Sequence, residues 1–181
     1  MEENSTSQIQ RSMDNSIISR VRYPKFENEI ARDRARIKET EECFTPTWLV
    51  QKGLDEYEKL IPDIFSNPVK TFIDNSSGSG QFLSEVLIRK IQNGISHKQA
   101  ISTIYGVELQ QDNVNYCRER LLAGVADSDL IAIIEQNIVC ADALRYHYRF
   151  DGSPPYDDEV LEQKKEEHFN TLFEYPTQGE K

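Results

Sequence analysis

Asp74, Glu108 and Asp142 each close a short apolar run, in "TFID", "YGVE" and "IVCAD". The first run opens into "NSSGSGQF", where Gly78 and Gly80 admit left-handed backbone and let a ligand lie against bare peptide, while Ser76, Ser77 and Ser79 add hydroxyls. A helix starting after such a turn points its free N–H groups at the same spot. A carboxylate after the second run can accept from both hydroxyls of a ribose, and one after the third can accept from the exocyclic amine of a purine. Together these positions suit a nucleoside-bearing ligand. Alone, the turn reads equally well as an ordinary strand-to-helix connection, and each acid as an N-cap for the helix that follows.

Three parallel strands would place those acids side by side. "VKTFIDN", Ile101–Leu109 ("ISTIYGVEL") and "NIVCAD" are β-branched or apolar runs of strand length. Between the first two, Phe82, Leu83, Val86, Leu87 and Ile91 form a helical face closed by Asn93-Gly94. Between the second and third, "QQDNVNYCRERLLAG" reads as a helix with Val114, Cys117, Leu121 and Leu122 inside, followed by the apolar segment "DLIAIIEQ". Ahead of the first strand, "CFTPTWLVQKGLDEYEKLIP" predicts a helix with Thr45 as N-cap and Pro46 at its first position, carrying Val50, Leu54, Tyr57 and Ile61 and stopping near Pro62. Repeated βα units imply an α/β fold with a parallel sheet and helical crossovers, whose ligands bind at the carboxyl ends of the strands.

The flanks differ in character. Met1 to about Ser19 is polar and reads as a flexible arm with at most a weak helix, and Glu27 to Glu42 as a charged, solvated helix; residues 1–42 thus form an arm, 43–150 the ligand-binding domain and 151–181 an acidic tail with a charged helical stretch, Asp158 to Phe169. The sheet is expected to stop after three strands, and an open edge would then be covered by the arm, the tail or another subunit.

At 181 residues the chain is long enough for a real core, and its net charge of −10 weighs against free-standing nucleic-acid binding, which draws affinity from Lys and Arg meeting phosphates. Cys43, Cys117 and Cys140 read as free thiols, and His97, His147 and His168 lack metal-ligand spacing. With no membrane-spanning run and a polar, acidic start, a cytoplasmic protein is expected.

A dinucleotide turn would follow G-x-G-x-x-G, but Leu83 stands where the third Gly belongs. Asp74 would repel a pyrophosphate and suit the ammonium of an amino-acid moiety, which favours S-adenosylmethionine over NAD. The chain resembles the amino-group DNA methyltransferases whose cofactor motifs precede the catalytic one. "FTPTWLV" is similar to their upstream F-T-P element, "FIDNSSGSGQFL" to the D-P-A-C-G-S-G-N-F-L turn, "YGVELQQDNVNYCRERL" to the G-x-E segment, and "NIVCADAL" to the N-I-x-x-G-D-A-L strand end. The resemblance covers roughly Ile37 to Leu144, with Asn75-Ser76-Ser77 replacing Pro-Ala-Cys and Gln81 replacing Asn.

The resemblance implies a Rossmann-like methyltransferase sheet. Thr45 and Pro46 would flank the methionine end of S-adenosylmethionine, Asp74, Ser77, Gly78 and Gly80 would surround the methionine moiety, Glu108 would hold the ribose and Asp142 would approach adenine N6. It also implies a catalytic [D/N/S]-P-P-[Y/F] element just after a fourth strand, matched by Ser153, Pro154, Pro155 and Tyr156. Here only Gly152 separates the Phe150-Asp151 pair from Ser153, so the residues that would carry the motif to a strand end are missing, and Pro-Pro-Tyr also reads as a polyproline turn. The expected activity is methylation of an exocyclic amine of DNA, adenine N6 ahead of cytosine N4, as in restriction–modification. DNA would be met directly or only through a partner subunit, in a homo- or hetero-oligomer. The alternatives are a catalytically incomplete relative that keeps the cofactor pocket as an interaction or regulatory protein, and a methyltransferase acting on RNA or a small molecule.

Overall fold

The computed structural model describes residues 2–22, 45–157 and 159–164. Cys43, the charged stretch from Glu27 to Glu42 and most of the tail lie outside the described residues. In chain order the elements are α1 (Glu2–Val21), α2 (Thr47–Leu60), β1 (Phe72–Asp74), α3 (Gln81–Gln92), α4 (His97–Ile101), β2 (Ile104–Glu108), α5 (Gln111–Leu122), α6 (Ser128–Asn137) and β3 (Ile138–Cys140).

The protein is α/β. Among the described residues three strands form one parallel sheet in the order β1-β2-β3, with Phe72 opposite Ile104, Asp74 opposite Gly106, and Glu108 opposite Cys140. Because strand side chains alternate, Ile104 and Ile138 face the helices and join the main core with Leu83, Leu87, Val114, Leu121, Leu130 and Ile134. Tyr105, Val107 and Val139 face the other way, where among the described residues only Tyr146 and Phe150 from the loop after β3 cover them with buried side chains. The helices of the described residues thus crowd onto one face of the sheet.

Three local expectations are corrected. The N-terminal segment is a full helix: Ile17, Ile18 and Val21 recur at helical spacing and pack on the core, and Arg20 donates to the Ala123 carbonyl while Arg22 pairs with buried Glu85 at 3.0 Å. Apart from exposed Ile9 and Met13 its remaining surface is polar, which hides this short apolar stripe from a reading by average composition. The second strand starts at Ile104 rather than Ile101, because Ser96 accepts from the Gln99 N–H and starts the short helix α4. The α2 helix begins one residue late: Pro46 occupies the cap position with extended ψ, and its carbonyl takes the N–H groups of Leu49 and Val50. Val50 and Leu54 are buried as expected, whereas Tyr57 and Ile61 remain exposed.

Lys90 is fully buried on the sheet side of α3, its ammonium donating to the Lys70 carbonyl and Thr103 Oγ1, both at 2.8 Å, and lying over the Phe72 ring. Burial pushes its pKa down. Among the described residues, no helix is long and apolar enough to cross a membrane.

Candidate functional site

Asp74 and Glu108 lie on the same, helix-bearing face at neighbouring strand ends, with Glu108 two residues beyond the register partner of Asp74. The turn between β1 and α3 folds over them. Asp74 Oδ1 accepts from the Ser76 N–H at 3.0 Å, and the Ser77 N–H then reaches the Val107 carbonyl at 3.1 Å, carrying the parallel pairing past the end of β1. Gly78 (φ 51°) turns its N–H onto Glu108 Oε2 at 2.8 Å. Glu108 Oε1 accepts from the Gln110 N–H at 2.9 Å and from Asn113 Nδ2 at 3.4 Å. A carboxylate has about four acceptor positions. Three donors already occupy Glu108, so one position remains before an existing bond must open.

Gly80 closes the turn at φ 82° and caps α3 without any side chain to satisfy the first helical N–H groups. A Cβ there would stand 2.6 Å from Cys117 Sγ, so α5 sets the height of the turn. Gly106 plays the matching part in the sheet: a Cβ on it would meet Leu83 Cδ1 at 2.9 Å and Ser77 Oγ at 3.1 Å. Ser77 Oγ is buried over this spot with no hydrogen-bond partner.

Burial raises the pKa of Asp74, the Ser76 N–H partly offsets this, and the charge of Glu108 raises it further. Two carboxylates held this close on a half-buried turn disfavour an anionic guest and favour a cationic one.

Thr45 and Pro46 immediately precede α2. The hydroxyl that ties this segment to the turn belongs to Thr47, whose Oγ1 accepts from Gln81 Nε2 at 2.6 Å. Gln81 Oε1 in turn accepts from the fully buried Arg120 at 2.6 Å, and Arg120 Nε donates to the Val21 carbonyl at 3.1 Å. The sequence reading missed this link. One amide holds the starts of α2 and α3 together and ties both to α1 and α5, and the only sequence signal was a polar residue at the first position of an otherwise apolar helix.

Asp142 follows β3 by two residues. Its Oδ1 accepts from the Leu144 N–H at 2.9 Å and its carbonyl takes the Arg145 and Tyr146 N–H groups, so it organises a turn. The Ala141 N–H donates to the Glu108 carbonyl at 2.9 Å, which keeps the two strand ends in step. Leu109, just after Glu108, and Leu144, two residues after Asp142, are 63% and 90% exposed, apolar surface beside polar strand ends that the sequence reading also passed over.

Ser153 to Tyr156 fold back onto the loop after β3. The Tyr156 N–H donates to the Arg145 carbonyl, and Gln136 holds the loop to α6 through the Phe150 carbonyl. His147 Nδ1 accepts from the Arg149 N–H, so in the neutral ring Nε2 carries the hydrogen and faces Ser153 Oγ at 2.7 Å; the Ser153 hydroxyl then donates to Asp151 Oδ1. This is a closed polar turn on the β3 side, in which the imidazole cannot take the serine proton through Nε2. Asp74, Ser77, Gly78, Gly80 and Glu108 are brought together, Asp142 lies at the neighbouring strand end, and Ser153–Tyr156 form a separate cluster.

The chain matches no family model, no curated protein and no solved structure.

Proposed function

We propose that the protein is an S-adenosylmethionine-dependent methyltransferase of Rossmann-like fold that acts on an exocyclic amine of DNA, adenine N6 ahead of cytosine N4. The observation that carries this reading is the pairing of Glu108 with the Gly78 N–H above Asp74, at the carboxyl end of parallel strands. It combines a diol acceptor, a bare-backbone turn and a second carboxylate suited to an amino group. The absence of a third glycine and the electrostatics of the turn support a sulfonium ligand over a dinucleotide.

In this reading Glu108 holds the ribose hydroxyls, one at its remaining acceptor position and the other as the 3.4 Å bond from Asn113 opens, Asp74 takes the amino group, and the Gly78–Gly80 backbone with Ser77 lines the methionine moiety. Thr45 and Pro46 close that end, and Asp142 receives adenine N6. The bound cofactor supplies an electrophilic methyl group on sulfur, transferred to a nucleophilic nitrogen. The protein's own task is to orient the acceptor amine in line with that methyl and to exclude water, which is positioning more than proton transfer. Ser153 and the Pro154–Pro155 carbonyls would accept from the amine and Tyr156 would stack on the base. With a net charge of −10, DNA is reached through a local surface or a partner subunit.

The self-contained Ser153–His147–Asp151 turn favours a second reading, a protein that binds the cofactor for interaction or regulation without transferring its methyl. Calorimetric titration with S-adenosylmethionine tests the shared part: binding to the wild type, loss in Glu108→Ala with the fold retained, and no binding of NAD are expected. A folded wild type that ignores S-adenosylmethionine overturns both readings. Transfer of labelled methyl to DNA by the isolated chain supports the first reading, and cofactor binding without transfer supports the second.

A further inference from the structure

The β1 edge of the sheet is open among the described residues. Phe72 and Asp74 pair with β2, and the Phe72 N–H is taken by the Thr103 carbonyl, so the N–H and C=O of Ile73 point away from the sheet. The Ile73 side chain is 54% exposed. Beside this edge runs a groove of about 630 Å³ between α2 and β1, lined by Leu54, Tyr57, Ile64, Phe82 and Val86, with Asp74 the one ionisable carboxylate on its wall. Tyr57 and Leu60 on α2 and Val69 ahead of β1 are 57%, 80% and 72% exposed. The α1 helix does not cover it, since it packs on α3 and α5.

We infer that this face is the interface between two copies of the chain, joined by antiparallel pairing of β1 with β1 about a two-fold axis at Ile73. The edge is self-complementary in three respects. Both backbone groups of Ile73 lie on the open side, so Ile73 of each copy exchanges two hydrogen bonds with Ile73 of the other. The two-fold axis keeps the helix-bearing faces on one side, so each groove meets its own counterpart. Lys70, exposed before β1, falls diagonal to Asp74 of the second copy, within reach of a long side chain, and the pair is repeated across the axis. The chain's charge of −10 opposes self-association. Added salt should therefore tighten the dimer by screening the repulsion while strengthening apolar burial. A closed two-fold pair also hides an edge that would otherwise template further strands. The inference does not rest on the cofactor reading, although the two share Asp74.

Sedimentation equilibrium over a wide concentration range tests it. A reversible dimer is expected, tighter at high salt, with Ile73→Lys raising its dissociation constant at least about a hundredfold, while circular dichroism and the urea midpoint show that the variant folds. At the two-fold, paired Cα atoms lie about 5.5 Å apart, inside the span a disulfide bridges. In a Cys140→Ser background, Ile73→Cys should oxidise to a linked dimer and Leu144→Cys, more exposed but off the face, should not. A monomer at every concentration, a dimer indifferent to Ile73→Lys, or equal cross-linking at both positions overturns the inference.

Discussion

The two faces of the sheet are covered by different means. On one, α3, α5 and α6 supply a deep apolar layer in which Leu87, Ile88, Val114 and Leu121 have no exposed surface. On the other, Tyr146 and Phe150 descend from a single loop onto Tyr105, Val107 and Val139, and the loop adopts left-handed backbone at Tyr148 (φ 57°) and Phe150 (φ 53°), conformations that cost a bulky residue free energy. The contrast teaches where order originates. The helix face fixes the heights of the strand ends and of the glycine turn, and the loop face is held by ring contacts and polar turns.

Gly80→Ala strikes the helix face hardest, because the new methyl meets Cys117 Sγ and the residue must keep φ at 82°. A loss of about 3 kcal/mol or more is expected in urea unfolding. Adding Cys117→Ala should recover only the steric part. If the single variant is as stable as wild type, the turn is not held against α5.

Leu87→Ala and Phe150→Ala then compare the faces directly. The first should cost about 3 kcal/mol, and the second roughly half of that, since a thin, strained loop can relax around the gap. Equal costs would remove the distinction drawn between the two layers.

Thiol chemistry sharpens it further. Burial pushes the Cys117 pKa up to about 12, so labelling of this thiol should follow opening of the helix face, while exposed Cys140 reacts in the native state. Mass spectrometry after brief alkylation reads both sites, and early modification of Cys117 would show a helix face looser than described.

The smallest effect is electrostatic. His97 is buried between α4 and α5 with Nε2 donating to the Leu121 carbonyl, and desolvation lowers its pKa below 6.5 although that bond partly opposes the shift. The unfolded chain therefore takes up the proton first. The contribution of His97 is complete above pH 6.5, and stability falls as pH drops from there toward the depressed folded-state pKa. His97→Gln should flatten that part of the stability profile, and an unchanged slope would place the titration elsewhere.

Much of the helix face was legible in the sequence. Val114, Cys117 and Leu121 recur at helical spacing, Asn93-Gly94 ends α3, and Asp74 and Glu108 close their strands, because periodicity and turn chemistry are local properties. The α1 helix was not legible, since Ile17, Ile18 and Val21 have value only against a partner more than sixty residues away, as the Arg22–Glu85 pair shows. In the candidate site the carboxylates and glycines could be read from residue type. The engagement of Glu108 by three N–H donors and the bridge from Thr47 through Gln81 to Arg120 could not, because each depends on side chains brought together by the fold. Tyr57 kept the helical period of a core residue, yet lines an open groove because no strand among the described residues pairs with the outer edge of β1.

The junction of α6 with β3 carries a consequence for how the gene can change. Asn137 ends the helix and Ile138 begins the strand with no connecting residue, and Asn137 Nδ2 pins the joint to the Ile101 carbonyl. A one-codon insertion or deletion at this point has no loop to absorb it. It would send the side chains of β3 to opposite faces, so that Val139 entered the helix layer and Ile138 left it. Length variation in descendants of this chain should therefore collect elsewhere, and the reading frame across these two codons should pass unaltered through insertion and deletion scanning.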